Sequence, residues 1–123
     1  MFLYLIQYKW LNVKGKNVID IGANIGDSAI YFALKGAKHV YAFEPYLYSC
    51  YIANKNARLN GLQDKITIVN QGCGGGEKTT IKIDSSYENF GGTDLKAFKS
   101  GKEMKVTTLS EIIKNLILSI RQF

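Results

Sequence analysis

The sequence reads as an α/β domain, the N-terminal part of a doubly wound and mainly parallel sheet. Three observations lead there. Short apolar runs suited to buried strands, Asn17–Ile21, His39–Phe43 and Ile66–Val69, alternate with longer stretches of helical spacing. Glycine stands where each intervening helix must stop, at Gly36 and at Asn60-Gly61. Strand, helix, strand, helix and strand fit within about 55 residues, which suits consecutive right-handed βαβ units.

The elements follow in order. Met1–Ile6 is apolar but has no basic start, long apolar run or small-residue cleavage site, so it reads as a segment packed on the domain rather than a signal peptide. Asn17–Ile21 is a buried strand between Gly15 and Gly22. Asp27 and Ser28 suit the first turn of a helix, and Ile30, Ala33 and Leu34 keep helical spacing up to Gly36. The second strand closes at Glu44-Pro45. A second helix then spans Tyr46 to Asn60, with Leu47, Cys50, Ala53 and Ala57 near one face. Ile66–Val69 is rich in β-branched residues.

Beyond Val69 the pattern loosens. Gly72, Gly74, Gly75 and Gly76 predict a turn, and Lys78–Ile83 alternates like an amphipathic strand. Residues 85–102 read as a loop, and Lys105–Thr107 as a short strand. Thr108 with Glu111 three residues later forms a capping-box pattern, opening a helix that presents Ile112, Ile113, Leu116, Ile117 and Ile120.

Length and composition limit the possibilities. The 123 residues suit a single domain, 1–123, and 46% hydrophobic with 21% charged residues is ordinary for a globular protein. The net charge is +6, but the lysines are spread along the chain, which predicts a dispersed solvated surface and no nucleic-acid partner. Cys50 and Cys73 form no CxxC pair and His39 is the single histidine, so neither a metal centre nor a disulfide framework is expected, and a reducing cytoplasm is the default. No apolar run approaches the ~20 residues of a membrane span, so no membrane partner is expected.

The chemistry-bearing stretch is Asp20-Ile21-Gly22-Ala23-Asn24-Ile25-Gly26-Asp27, at the junction of the first strand and helix. Ligands of open α/β sheets bind at the carboxyl ends of strands, where this loop falls. Gly22 allows a tight turn, and Gly26 lets the helix start close beneath a ligand. Backbone N–H groups of the loop and helix start suit a carboxylate. Asp20 is placed to orient the loop or to receive an ammonium. S-adenosylmethionine presents both an ammonium and a carboxylate at its methionine end. Glu44, at the end of the second strand, suits the paired hydroxyls of a ribose. Pro45 and Tyr46 would flank an adenine, and Asn70, Gln71 and Gly72 would meet its edge. A dinucleotide fits less well, because Asn24 replaces the glycine that admits a pyrophosphate and Asp20 would repel it.

The stretch from about Asn17 to Leu62 resembles the FkbM-type family of S-adenosylmethionine-dependent methyltransferases. Val18–Asp27 and Ala42-Phe43-Glu44-Pro45 carry the likeness most closely, with Asn56, Asn60-Gly61 and Val106–Leu109 adding to it. The resemblance implies a Rossmann-like class I methyltransferase fold. It also implies a methionine end lined by Asp20, Gly22, Ala23, Asn24, Gly26 and Asp27, and a ribose held by Glu44. O-methylation of a sugar-like or other hydroxylated small molecule is the implied activity. In that family a further strand follows the helix beginning near Leu109, so the domain is expected to be C-terminally incomplete. The first strand would then offer an edge to another copy of the chain. The alternative reading is a truncated, non-catalytic cofactor-binding or interaction module.

No catalytic base emerges. His39 falls on the wrong edge of the sheet, and Asp84, Glu88 and Asp94 read as solvated. Tyr46, Tyr48 and Tyr51 read as packing, Cys50 as a core filler and Cys73 as a loop residue.

Overall fold

The computed structural model describes residues 8–75, 80–83 and 102–120. Its first half contains β1 (Asn17–Ile21), α1 (Asp27–Leu34), β2 (His39–Phe43), α2 (Leu47–Leu59) and β3 (Ile66–Val69). The three strands match the sequence expectation to the residue. They form a parallel sheet in the order β1-β2-β3, with Asn17 opposite His39, Ile21 opposite Phe43 and Val40 opposite Ile66. Parallel pairing requires each helix to cross back over the sheet, which α1 and α2 do.

Both helices stop in the same way. Gly36 and Gly61 take left-handed backbone angles, φ 94° and 68°. Gly36 and Ala37 donate to the carbonyls of Ala33 and Phe32, and Gly61 and Leu62 donate to those of Arg58 and Ala57. Each pair satisfies carbonyls that a helix end would otherwise leave bare.

The core lies under β2, where Val40 and Ala42 are fully buried, and is completed by Ala29, Phe32, Ala33, Ala57 and Ile66. Alanines on the inner faces let the helices lie close to the sheet. Tyr8 adds an aromatic layer, its ring 5.1 Å from that of Phe32. Two apolar residues of the predicted helical spacing lie outside this layer: Leu34 is 67% exposed and Leu47 is 54% exposed. Leu34 is one position, or roughly 100°, past the inward-facing Ala33, and Leu47 opens α2 ahead of its buried face at Ser49, Cys50, Ala53 and Ala57.

The second half forms another three-stranded sheet from β4 (Gly72–Cys73), β5 (Thr80–Ile83) and β6 (Lys102–Thr107), in the order β4-β6-β5. β4 runs parallel to β6 and β5 antiparallel to it. Cys73 therefore belongs to a strand, not a loop, and β6 begins three residues earlier than the sequence pattern suggests. Both corrections come from non-local pairing: Gly72 and Cys73 pair with Val106 and Thr107, and Gly74 donates to the Thr107 carbonyl. Helix α3 (Leu109–Ile120) starts where the Thr108 hydroxyl accepts the Glu111 N–H at 3.2 Å. Ile112 is buried, whereas Ile113 and Ile117 are 42% and 46% exposed. Met1–Ile6, Lys78 and Thr79, the expected loop at 85–101 and the Ile120 side chain lie outside the described residues.

Folding also gathers charge that the sequence disperses. Lys16, Lys38 and Lys65 each immediately precede a strand of the parallel sheet, so they line its amino end. β1 is an edge strand among the described residues, with Ile21 46% exposed.

Candidate functional site

The β1–α1 loop sits at the carboxyl end of the parallel sheet and is held from three sides. From the sheet, the Phe43 carbonyl accepts the N–H groups of both Gly22 and Ala23, at 2.8 and 3.1 Å. From the end of β2, Glu44 Oε1 accepts the Asn24 N–H at 2.9 Å. From α2, Asn56 Nδ2 donates to the Ile25 carbonyl at 2.8 Å. In the sequence Asn56 stands out only through the family resemblance. Its role depends on α2 crossing the loop, which no local pattern encodes.

Three alternate residues of the loop are left-handed: Gly22 at φ 74°, Asn24 at 54° and Gly26 at 90°. Asparagine is among the few side chains that tolerate this region. The two glycines serve different needs. A Cβ at Gly22 would meet nothing within 4 Å, so the strand end faces open space. A Cβ at Gly26 would lie 3.2 Å from both Cα and Cβ of Ala53. Gly26 therefore makes room for α2, a packing need beyond the close helix start read from the sequence.

Backbone donors are redistributed as well. The N–H groups of Gly22, Ala23, Asn24 and Gly26 are all committed within the protein. The first turn of α1, from Asp27 onward, offers an anion the N–H groups that a helix leaves without intrahelical partners.

Asp20 ends buried, 9% exposed, with Oδ2 accepting the Ser28 hydroxyl at 2.6 Å. Burial pushes its carboxyl up to about 6; the Ser28 hydrogen bond opposes that rise and the nearby Asp27 charge adds to it. Asp20 thus ties the end of β1 to the first turn of α1. Ser28 carried no signal beyond helix capping, and its partner is eight residues away.

Glu44 is 5% exposed, and its Oε2 accepts the Tyr46 N–H at 2.8 Å. A carboxylate has about four acceptor positions, so Glu44 can hold several donors at once. Asn70 Nδ2 clamps the following turn, donating to the carbonyls of Glu44 at 3.1 Å and Pro45 at 2.7 Å. Tyr46 is buried at the cap of α2 and Gln71 is half-buried beyond β3. Asp20, Gly22, Ala23, Asn24, Gly26, Asp27, Glu44, Pro45, Tyr46 and Gln71 are therefore gathered at one end of the sheet.

Other candidates fall elsewhere. His39 lies at the opposite end, with Nε2 2.7 Å from the Thr67 hydroxyl, and partial burial lowers its pKa. Cys50 fills the core beneath the site, its thiol donating to the Glu44 carbonyl at 3.1 Å. Asp84, Glu88 and Asp94 lie outside the described residues. A groove of about 500 Å³ along α3, lined by Ser110, Ile113, Lys114, Ile117 and Leu118, carries none of the loop's chemistry. Among the described residues no three His, Cys, Asp or Glu side chains group as metal ligands.

Comparison with known proteins finds methyltransferases. A family model for the methyltransferase FkbM domain matches residues 20–121. The ribosomal protein L11 methyltransferase of Carboxydothermus hydrogenoformans is 35% identical over 69 residues, covering 56% of this chain and 23% of that protein. The PRMT6-SAH crystal structure aligns over 57% of this chain and 21% of its own, with 25% identity and a TM-score of 0.51. The O-MT segment of StiE, residues 942–1257, shares the fold at 19% identity and a TM-score of 0.51, covering 58% of this chain and 26% of that one. The chain spans 23% of the length of the curated relatives it matches.

Proposed function

The chain belongs to the methyltransferase FkbM domain family, and from that premise we propose that it binds S-adenosylmethionine at the carboxyl end of the parallel sheet for transfer of the methyl group to an oxygen acceptor. The observation that carries this reading is Glu44, a buried carboxylate that joins the end of β2 to the glycine loop through the Asn24 N–H. A ribose bound across Glu44 would lie beside the open space at Gly22.

The residues present fit the cofactor. The first turn of α1 supplies N–H donors for its carboxylate, and Asp20 supplies negative charge near its ammonium. Pro45, Tyr46 and Gln71 flank the end of the sheet where an adenine would rest. When bound, S-adenosylmethionine supplies a methyl group on a positively charged sulfur, open to in-line attack. The chain's own contribution is to fix that group in place and orientation, which is a large part of catalysis for such a displacement. A sugar-like or other hydroxylated small molecule is the acceptor class this reading assigns, in a reducing cytoplasm that suits two cysteines without a disulfide. A second copy pairing along β1 is the partner arrangement its exposed edge supports.

The reading is tested by incubating the chain with methyl-labelled S-adenosylmethionine and a panel of hydroxylated acceptors, with and without Glu44→Ala. Label transferred to an acceptor oxygen, and lost in the variant, is the expected result. Label retained on the cofactor across the panel, or transferred equally by both proteins, would overturn it.

A further inference from the structure

We propose that the amino end of the parallel sheet is a docking surface for an anionic phospholipid bilayer. The three chain segments that meet there, residues 8–17, 34–39 and 58–66, contain seven Lys and Arg residues and Asp64 as their single carboxylate. In sequence these cations are scattered. In the fold, Lys16 and Lys38 stand just before two adjacent strands, the Lys38 N–H donating to the Lys16 carbonyl at 2.8 Å. Lys65 joins the row from β3, its carbonyl accepting the Val40 N–H at 2.8 Å. Neighbouring strands lie ~4.8 Å apart, so the row is compact. Lys14 packs against Gly36, Lys35 caps α1 and Arg58 lies in the last turn of α2, which brings three more cations to the same end.

Apolar side chains stand among these charges. Trp10 is 83% exposed, Leu34 67% and Leu59 74%. Leu34 and Leu59 are the last residues of α1 and α2, the helix ends nearest the lysine row. This mixture decides the partner. A phosphate backbone would match the lysines, but nucleic-acid grooves favour aromatic platforms between the cations, and among the described residues of these segments Trp10 is the exposed aromatic. Leucines projecting beside lysines suit a surface with anionic headgroups above hydrocarbon, where tryptophan also prefers to lie. Such a contact is peripheral, and no helix of the described residues is long and apolar enough to cross a membrane. It would turn the carboxyl end of the sheet away from the bilayer and toward solvent. The inference is independent of the cofactor reading, because it uses the opposite end of the strands.

The chain contains one tryptophan, so intrinsic fluorescence reports on this surface directly. The full chain would be mixed with phosphatidylcholine vesicles, with and without phosphatidylserine, and followed by sedimentation and Trp10 emission. The expected result is co-sedimentation with the phosphatidylserine vesicles only, a blue shift of Trp10 and loss of binding at high salt. The double variant Lys16→Glu with Lys38→Glu is expected to lower the partition coefficient by about tenfold or more. The pair Leu34→Ser with Leu59→Ser should weaken binding without changing its salt dependence. Circular dichroism checks that each variant folds, and Lys35→Glu with Lys65→Glu replaces the first pair if it does not. Absence of binding, equal binding to neutral vesicles, or binding unchanged by charge reversal would overturn the proposal. Lysine-dependent binding to polyuridylate with none to vesicles would assign the surface to nucleic acid instead.

Discussion

The two ends of the β1–β2–β3 sheet are built from the same strands, yet they hold charge in opposite ways. At the carboxyl end Asp20 and Glu44 are buried and accept hydrogen bonds from Ser28, Asn24 and Tyr46. At the amino end Lys16, Lys38 and Lys65 are exposed to solvent. Buried charge is costly unless its geometry is fixed by partners, whereas exposed charge is nearly neutral for stability. The carboxyl end is therefore a constructed site whose parts depend on one another, and the amino end is a surface whose parts act by summation. Substitutions should damage the first sharply and the second gradually.

The largest effect is expected at Gly26. A valine there must adopt φ 90° and place its Cβ 3.2 Å from the backbone of Ala53. Gly26→Val should destabilise the fold by roughly 3 kcal/mol or more in urea unfolding. Gly22→Ala has the same φ difficulty without a clash, so it should cost about 1 kcal/mol while still impairing cofactor binding. Equal losses at the two glycines would remove the distinction drawn between them.

Asp20 provides a pH-dependent test. Its folded carboxyl titrates near 6 against an ordinary 3.8, so the folded chain holds that proton more tightly than the unfolded one. The contribution of Asp20 to stability therefore declines as pH rises from about 4 to about 6, by roughly 1–3 kcal/mol, and is level above that. Unfolding curves of the native chain and Asp20→Asn across this window should diverge as pH rises, with the variant lacking the decline. Parallel curves would show that Asp20 is not the group responsible.

A smaller effect belongs to Asn56, whose side chain reaches the Ile25 carbonyl from α2. Asn56→Ala should cost about 1 kcal/mol and raise the dissociation constant for S-adenosylhomocysteine. At the other end, Lys38→Gln should change unfolding free energy by less than about 0.5 kcal/mol and leave cofactor affinity intact. A large loss there would show that the two ends are not built on different principles.

Much of the first half was legible because its signals are local. Asn17–Ile21, His39–Phe43 and Ile66–Val69 were bounded correctly by glycine, proline and β-branched composition, and Gly36 and Gly61 marked where helices end. The second half was less legible because its pairing is non-local. Gly72–Cys73 become a strand only by meeting Val106 and Thr107 across more than thirty residues. The same limit governed the site. Asp20 and Glu44 stood out as acidic residues at strand ends, but Ser28, Asn56 and Asn70, which fix the site's geometry, act on partners brought near by the crossovers. The lysine row was hidden for that reason too, since Lys16, Lys38 and Lys65 become neighbours only through strand pairing.

The most direct test of the central claim is calorimetric titration of the chain with S-adenosylhomocysteine, repeated with Glu44→Ala after its fold has been verified. Saturable binding by the native chain, weakened at least tenfold in the variant, is the expected result. No binding by the folded native chain, or equal binding by both, would contradict it.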